Sequence, residues 1–147
     1  MTIKTDRGDA FPTLERAIWW SLAIGCSALL VTAAMLEPDP RGYGTHAQLG
    51  LPPCGFLLFT GAPCPGCGLT TAFAHAVRGH WALAAGANPF GLLLFVLASI
   101  CVPLGLIAGW HRWSVDAVLE RFAIGRWALA VAGCGVALWI VRLTNAL

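Results

Sequence analysis

Two strongly apolar runs of twenty residues in this 147-residue chain carry no charged side chain. The first run, "AIWWSLAIGCSALLVTAAML", covers residues 17–36; the second, "FGLLLFVLASICVPLGLIAG", covers residues 90–109. At about 1.5 Å per helical residue each reaches about 30 Å, the thickness of a bilayer's hydrocarbon core. Composition agrees. Charged residues make up 11% of the chain and hydrophobic ones 58%, against roughly 25% and roughly 45–50% in soluble domains. So few charges cannot cover a water-facing surface. A third run, "WALAVAGCGVALWIV" at residues 127–141, is short alone but spans when continued to residue 147 with Arg142 snorkelling to the headgroups. The expected fold is an all-α integral membrane domain over residues 1–147, with transmembrane helices at about 17–36, 90–109 and 127–147.

Lysine and arginine counts orient these spans. Lys4, Arg7 and Arg16 precede the first, and Arg112, Arg121 and Arg126 lie between the second and third. The long segment 37–89 carries only Arg41 and Arg78. An N-terminus in the cytoplasm puts both basic regions inside. Trp19, Trp20, Trp110, Trp113 and Trp127 then form a belt at one interface, and the expected location is a bacterial inner membrane. The first run exceeds the apolar core of a cleaved signal peptide and follows acidic residues, so it reads as an anchor. The small net charge of +2 and the lack of a basic patch point to lipid, and not nucleic acid, as the partner.

Segment 37–89 is expected to face outward. "EPDPRGYG" stops the first helix, and "GLPPCGFLLFTGAPCPGCG" reads as irregular because prolines and glycines interrupt it. From Thr70 a short helix should run toward Gly79, with Thr71, His75 and Arg78 on a polar face and Phe73, Ala76 and Val77 on an apolar one. Such an amphipathic or re-entrant piece would lie on the membrane or fold partly into it. "HWALAAG" makes a second short piece. Asn88 then caps the following span with Pro89 at its first position.

Six cysteines divide evenly. Cys26, Cys101 and Cys134 fall inside the spans, where a small polarisable side chain fills helix contacts. Cys54, Cys64 and Cys67 fall in the outward loop. The C-P-G-C turn suits two chemistries. It can bring two sulfurs to one metal ion such as zinc, with Cys54 as third ligand and His75 as fourth, ahead of His46 and His80. It can also form a redox pair, Cys64 attacking and Cys67 resolving. A plain disulfide or packing thiols are the third reading, although three outward cysteines leave one without a mate.

Other features read as architecture. His75 beside Arg78 suits a solvated helix face, and His111 with Arg112 an interfacial anchor. Gly105 and Gly109, and the small face of Ala128, Ala132 and Gly133, suit close helix packing within the chain. Pro103 should bend the second span. No nucleophile elbow, phosphate loop or H-E-x-x-H occurs, and the spans hold no Asp, Glu or Lys. That argues against ion or proton transport.

The motif residues resemble those of an uncharacterised bacterial membrane-protein family with the pattern C-x-F-x-x-x-T-G-x-x-C-P-x-C-G-x-T-R-A, a later glycine, and N-P before an apolar span. The matches are Cys54, Phe56, Thr60, Gly61, Cys64, Pro65, Cys67, Gly68, Thr70, Ala72, Gly79, Asn88 and Pro89. Thr71 stands where the family has arginine. If that arginine offsets thiolate charge, Arg78 is the residue available to replace it. The resemblance implies a membrane location and no defined activity. The expectation is therefore a structural or accessory membrane protein with a metal-binding or loop-locking cysteine cluster. A thiol–disulfide oxidoreductase is the first alternative, and a scaffold subunit among other membrane-protein subunits the second.

Overall fold

The computed structural model describes residues 12–121 and 123–146. Lys4 and Arg7, used above to orient the chain, and the side chain of Arg142 lie outside the described residues. The described residues form helices α1 (Pro12–Met35), α2 (Gly55–Thr60), α3 (Leu69–Ala76), α4 (Trp81–Ala87), α5 (Pro89–His111), α6 (Val115–Arg121) and α7 (Ile124–Ala146), with a 3₁₀ turn at Thr45–Leu49 and no strand. Two helices, α1 and α5, are long and apolar enough to cross a membrane. A third crossing is counted only if α6 and α7, bent by 64° at their junction, act as one span. The junction runs through Ala123, whose φ of 46° is left-handed and unfavourable for a residue with a Cβ.

α1 and α5 run antiparallel in close contact. A Cβ at Gly105 would stand 2.8 Å from the Trp19 carbonyl oxygen and 3.1 Å from the Ala23 Cβ, so only glycine lets the backbones approach this far. The G-x-x-x-G is thus a contact within the chain, as expected. At the same end Trp19 is buried with Ala108 and Val118, and its indole N–H donates to the Trp113 carbonyl at 2.8 Å. Trp19 is therefore a packing residue of the α1–α5–α6 corner, whereas Trp110 and Trp127 remain exposed as belt residues would. The small residues of α7 behave differently: Ala128, Ala132 and Gly133 are exposed, so the expected packing within the chain is not formed there.

At the opposite end, residues 36–88 fold into a cap over the ends of α1 and α5. The expected helix after the cysteines spans Leu69–Ala76, and Gly79, with φ of 76°, reverses the chain behind it. α3 does not lie as an amphipathic strip. Thr71, Ala72, Phe73, Ala74 and Ala76 are all buried, joining Ala33 of α1, Ala84 and Ala87 of α4, and Phe95 and Ala98 of α5 in one core. Phe95 takes edge-on contacts from both Phe73, at 5.6 Å, and Trp81, at 6.0 Å. The polar face is absorbed too. The Thr71 hydroxyl meets the buried Thr45 hydroxyl at 2.8 Å, which also accepts from the Asp39 N–H. Arg78 donates to the Ala34 carbonyl at 3.0 Å and the Ala74 carbonyl at 2.7 Å, with a longer contact to the Ala33 carbonyl. It thus satisfies carbonyls at the C-terminus of α1 that no helical N–H can reach. The Arg78 guanidinium is committed to these carbonyls.

Candidate metal centre

The loop that reads as irregular contains one helix. α2 begins at Cys54, its N-cap, and ends at Gly61, whose φ of 71° closes it with an N–H to the Leu57 carbonyl. Thr60 helps end it by donating to the Phe56 carbonyl at 2.7 Å and accepting from the Ala62 N–H at 3.2 Å. Pro52 and Pro53 do prevent helix before it, but "GFLLF" after Cys54 is free to coil. The effect is to turn the chain back so that Cys54 faces Cys64.

The C-P-G-C turn follows. Its Cys67 N–H bonds the Cys64 carbonyl at 3.0 Å, and Gly68 then takes φ of 85° before α3 starts. A Cβ on Gly68 would stand 2.5 Å from the Ala87 carbonyl oxygen and 2.7 Å from that of Gly42, so three backbone segments meet there with no room for a side chain. Asn88, only 1% exposed, ties this turn to α5. Its Nδ2 donates to the Pro65 and Cys67 carbonyls at 3.2 and 3.0 Å, and its Oδ1 accepts from the Gly91 N–H at 3.0 Å. Asn88 was expected as a helix cap. Its second role, holding both carbonyls of the sulfur turn, has no local signal in sequence because the partners are over twenty residues away.

The result is a cluster of three thiols. The Sγ of Cys64 lies 3.4 Å from that of Cys54 and 3.3 Å from that of Cys67, and all three fall within 4.8 Å of one another. These separations exceed a covalent S–S bond of about 2.05 Å. They approach the edge of about 3.8 Å that a tetrahedron with metal–sulfur bonds of about 2.3 Å requires. The donor set therefore fits a soft or borderline metal ion such as zinc.

The three sulfurs are not equivalent. Backbone N–H of Leu57 and the neighbouring Cys64 thiol hold the Cys54 thiol below its ordinary range. Burial, then the Cys64 side chain, pushes Cys67 up to about 12; its side chain is 6% exposed. A cation at the cluster would supply the charge that Cys67 lacks.

His75 is not within this group. Its ring packs 5.9 Å from that of His80, its Nδ1 is buried without a hydrogen-bond partner among the described residues, and burial with the adjacent His80 and Arg78 charges lowers its pKa. It is thus a partly buried neutral imidazole and not a solvated one. His46 is placed differently. It lines a cleft of about 150 Å³ shared with Arg41, Tyr43, Gly44 and the three cysteines. Arg41 forms a two-bond ion pair with Asp39 at 2.7 and 3.0 Å, which draws the Asp39 carboxyl down to about 2. The pair packs over Gly44, and the Arg41 guanidinium also lies 5.5 Å above the Tyr43 ring. From the far side, Trp139 of α7 donates to the Pro63 carbonyl at 3.0 Å and meets Phe56 edge-on at 6.4 Å. Neither contact is foreseeable from sequence spacing.

Residues 54–102 match the family model described as a protein of unknown function, DUF2752. That match covers the three clustered cysteines, α2 to α4 and the first half of α5. No curated protein and no solved structure matches the chain.

Proposed function

We propose that this is a small inner-membrane protein whose Cys54, Cys64 and Cys67 hold a zinc ion just outside the bilayer, where the ion locks the cap onto the membrane helices. The observation that carries this reading is the convergence of three sulfurs, from two separate turns, to within 4.8 Å. The N-terminus is on the cytoplasmic side, α7 crosses with α1 and α5, and the role is structural or accessory. Trp139 supports the third crossing, because α7 must run from the α6 end to the cap for its indole to reach Pro63. Bound zinc would supply a charge-neutralising cross-link between the α2 turn and the start of α3, and binding would release the Cys67 proton.

The test is elemental analysis of gently purified protein, combined with thiol alkylation before and after chelation. About one zinc per chain, with all three thiols protected until the metal is removed, is the expected result. Metal-free protein with three freely reactive thiols would end this reading. An impermeant maleimide added to intact spheroplasts should label the chelated cluster from outside.

A redox reading rests on a different feature. Cys64 stands within reach of two partners, and one of them, Cys54, has its thiol held below its ordinary range. A Cys64–Cys67 disulfide that forms and opens with the ambient thiol–disulfide ratio, in protein that holds no metal, would favour it. The open face of α7 at Ala128, Ala132 and Gly133 favours assembly with another membrane subunit, which co-purification would reveal.

A further inference from the structure

Three cysteines leave one position of a tetrahedral site to fill. We propose that His46 fills it, so that the site is Cys54, Cys64, Cys67 and His46; this rests on the metal-binding reading above.

Among residues lining the cleft beside the sulfurs, three side chains carry nitrogen or a phenol: Arg41, Tyr43 and His46. Arg41 stays protonated and offers no lone pair. The phenol of Tyr43 is not among the usual zinc ligands. His46 offers an imidazole nitrogen, the usual partner of cysteine sulfur at zinc. The other described histidines are elsewhere: His75 and His80 pack on each other, and His111 sits at the far end of α5.

His46 is also prepared for the role. Its Nε2 lies 3.2 Å from the Pro52 carbonyl oxygen. A proton on Nε2 makes that contact a hydrogen bond and leaves the Nδ1 lone pair free. Ligating histidines are oriented in this way, with the second nitrogen donating to a carbonyl or carboxylate. Pro52 lies two residues before Cys54, so the same bond ties the imidazole to the strand of chain that delivers the first sulfur. The backbone beneath His46 is fixed as well. Thr45, fully buried, is bonded to Thr71 of α3 and to the Asp39 N–H. Gly44 and Gly50, with φ of 95° and 74°, bound the 3₁₀ turn. The imidazole itself is only partly buried and does not stand within 4.8 Å of all three sulfurs. Closing on the ion therefore requires the imidazole and the sulfur turns to draw closer together.

Cobalt(II) chloride is the probe, added to the full-length chelated protein in detergent. Wild type should bind about one cobalt per chain and show sulfur-to-cobalt charge transfer with the ligand-field bands of a three-sulfur, one-nitrogen tetrahedron. H46A should shift those bands and weaken binding about tenfold or more, because even outer partners of metal ligands are worth roughly 10–100-fold. Free imidazole should restore the H46A spectrum, which separates a lost ligand from a misfolded chain. H75A should match wild type. If wild type takes up no cobalt, the metal reading itself fails. If wild type binds but H46A has an unchanged spectrum and affinity, or H75A carries the shift, or imidazole does not rescue H46A, His46 is not the fourth ligand while the three-sulfur site stands.

Discussion

The six cysteines form two sets that differ in backbone and not in number. Cys26 and Cys101 neighbour each other across α1 and α5, and Cys134 is exposed on α7. All three sit inside long helices, where each main-chain N–H is already bonded to a carbonyl four residues back. Cys54, Cys64 and Cys67 sit at a helix N-cap and on a turn. There the backbone has free N–H groups to point at sulfur, and Leu57 does so. Helices keep sulfurs apart on rigid rods; broken backbone lets them converge.

The largest effect should come from exchanging the two sets. C54S, C64S or C67S should each lower bound metal from about one per chain toward none, while C26S, C101S and C134S should leave it unchanged by elemental analysis. Metal lost from a variant of the second set would break the contrast. Within the first set, metal-free protein should alkylate unevenly. With Cys67 at about 12, its thiolate fraction at pH 8 is on the order of a thousandfold below that of an unshifted thiol. Cys54, shifted the other way, should react before Cys67. Mass spectrometry across pH should show Cys67 labelling rise steeply only in strongly alkaline buffer. Since the metal binds thiolates, affinity should climb with pH as the Cys67 proton becomes easier to displace.

Two structural variants come next. Gly68→Ala puts a methyl 2.5 Å from one carbonyl oxygen and 2.7 Å from another, at a left-handed φ. A cost of about 3 kcal/mol or more follows from strain and overpacking together, read as a lower denaturation midpoint with loss of metal. Asn88→Ala strands the Gly91 N–H and removes the donor shared by the Pro65 and Cys67 carbonyls. About 2 kcal/mol is expected. Asn88→Asp should keep the cap on Gly91 and still disturb the sulfur turn, which isolates the second role.

What the sequence disclosed follows from range. The long apolar runs, the Asn88–Pro89 start of α5 and the G-x-x-x-G contact depend on local composition and spacing, and they are seen in the structure. The cysteine cluster was legible as a candidate because Cys64 and Cys67 are three apart. Its third dimension was not. The Asn88 bonds to the sulfur turn, the hydroxyl pair of Thr45 and Thr71, and Trp139 reaching Pro63 join residues 21 to 76 positions apart. α2 was missed because the prolines and glycines around it mask six residues that coil freely. The amphipathic pattern of α3 did not show that Thr71 would be buried against Thr45 or that Arg78 would bond carbonyls of α1, because those partners lie 26 and 44 positions away. Phe59, 92% exposed on α2, adds the opposite lesson: an aromatic in an apolar stretch need not find a partner within the chain.

The smallest effect separates the sulfurs from the charge nearest to them in sequence pattern. If the arginine that directly follows T in the resembled pattern serves the thiolates, this chain either does without it or uses Arg78. Yet its guanidinium spans Ala74 on α3 and Ala34 on α1. A lysine can keep the charge near the α1 C-terminus but not the planar fork that serves both carbonyls. Arg78→Lys should therefore lower stability by about 1 kcal/mol and leave metal content and Cys54 reactivity as they were. Should metal content fall without a matching loss of stability, Arg78 acts on the cluster, and the boundary drawn here between the sulfur site and the helix-end cap would have to move.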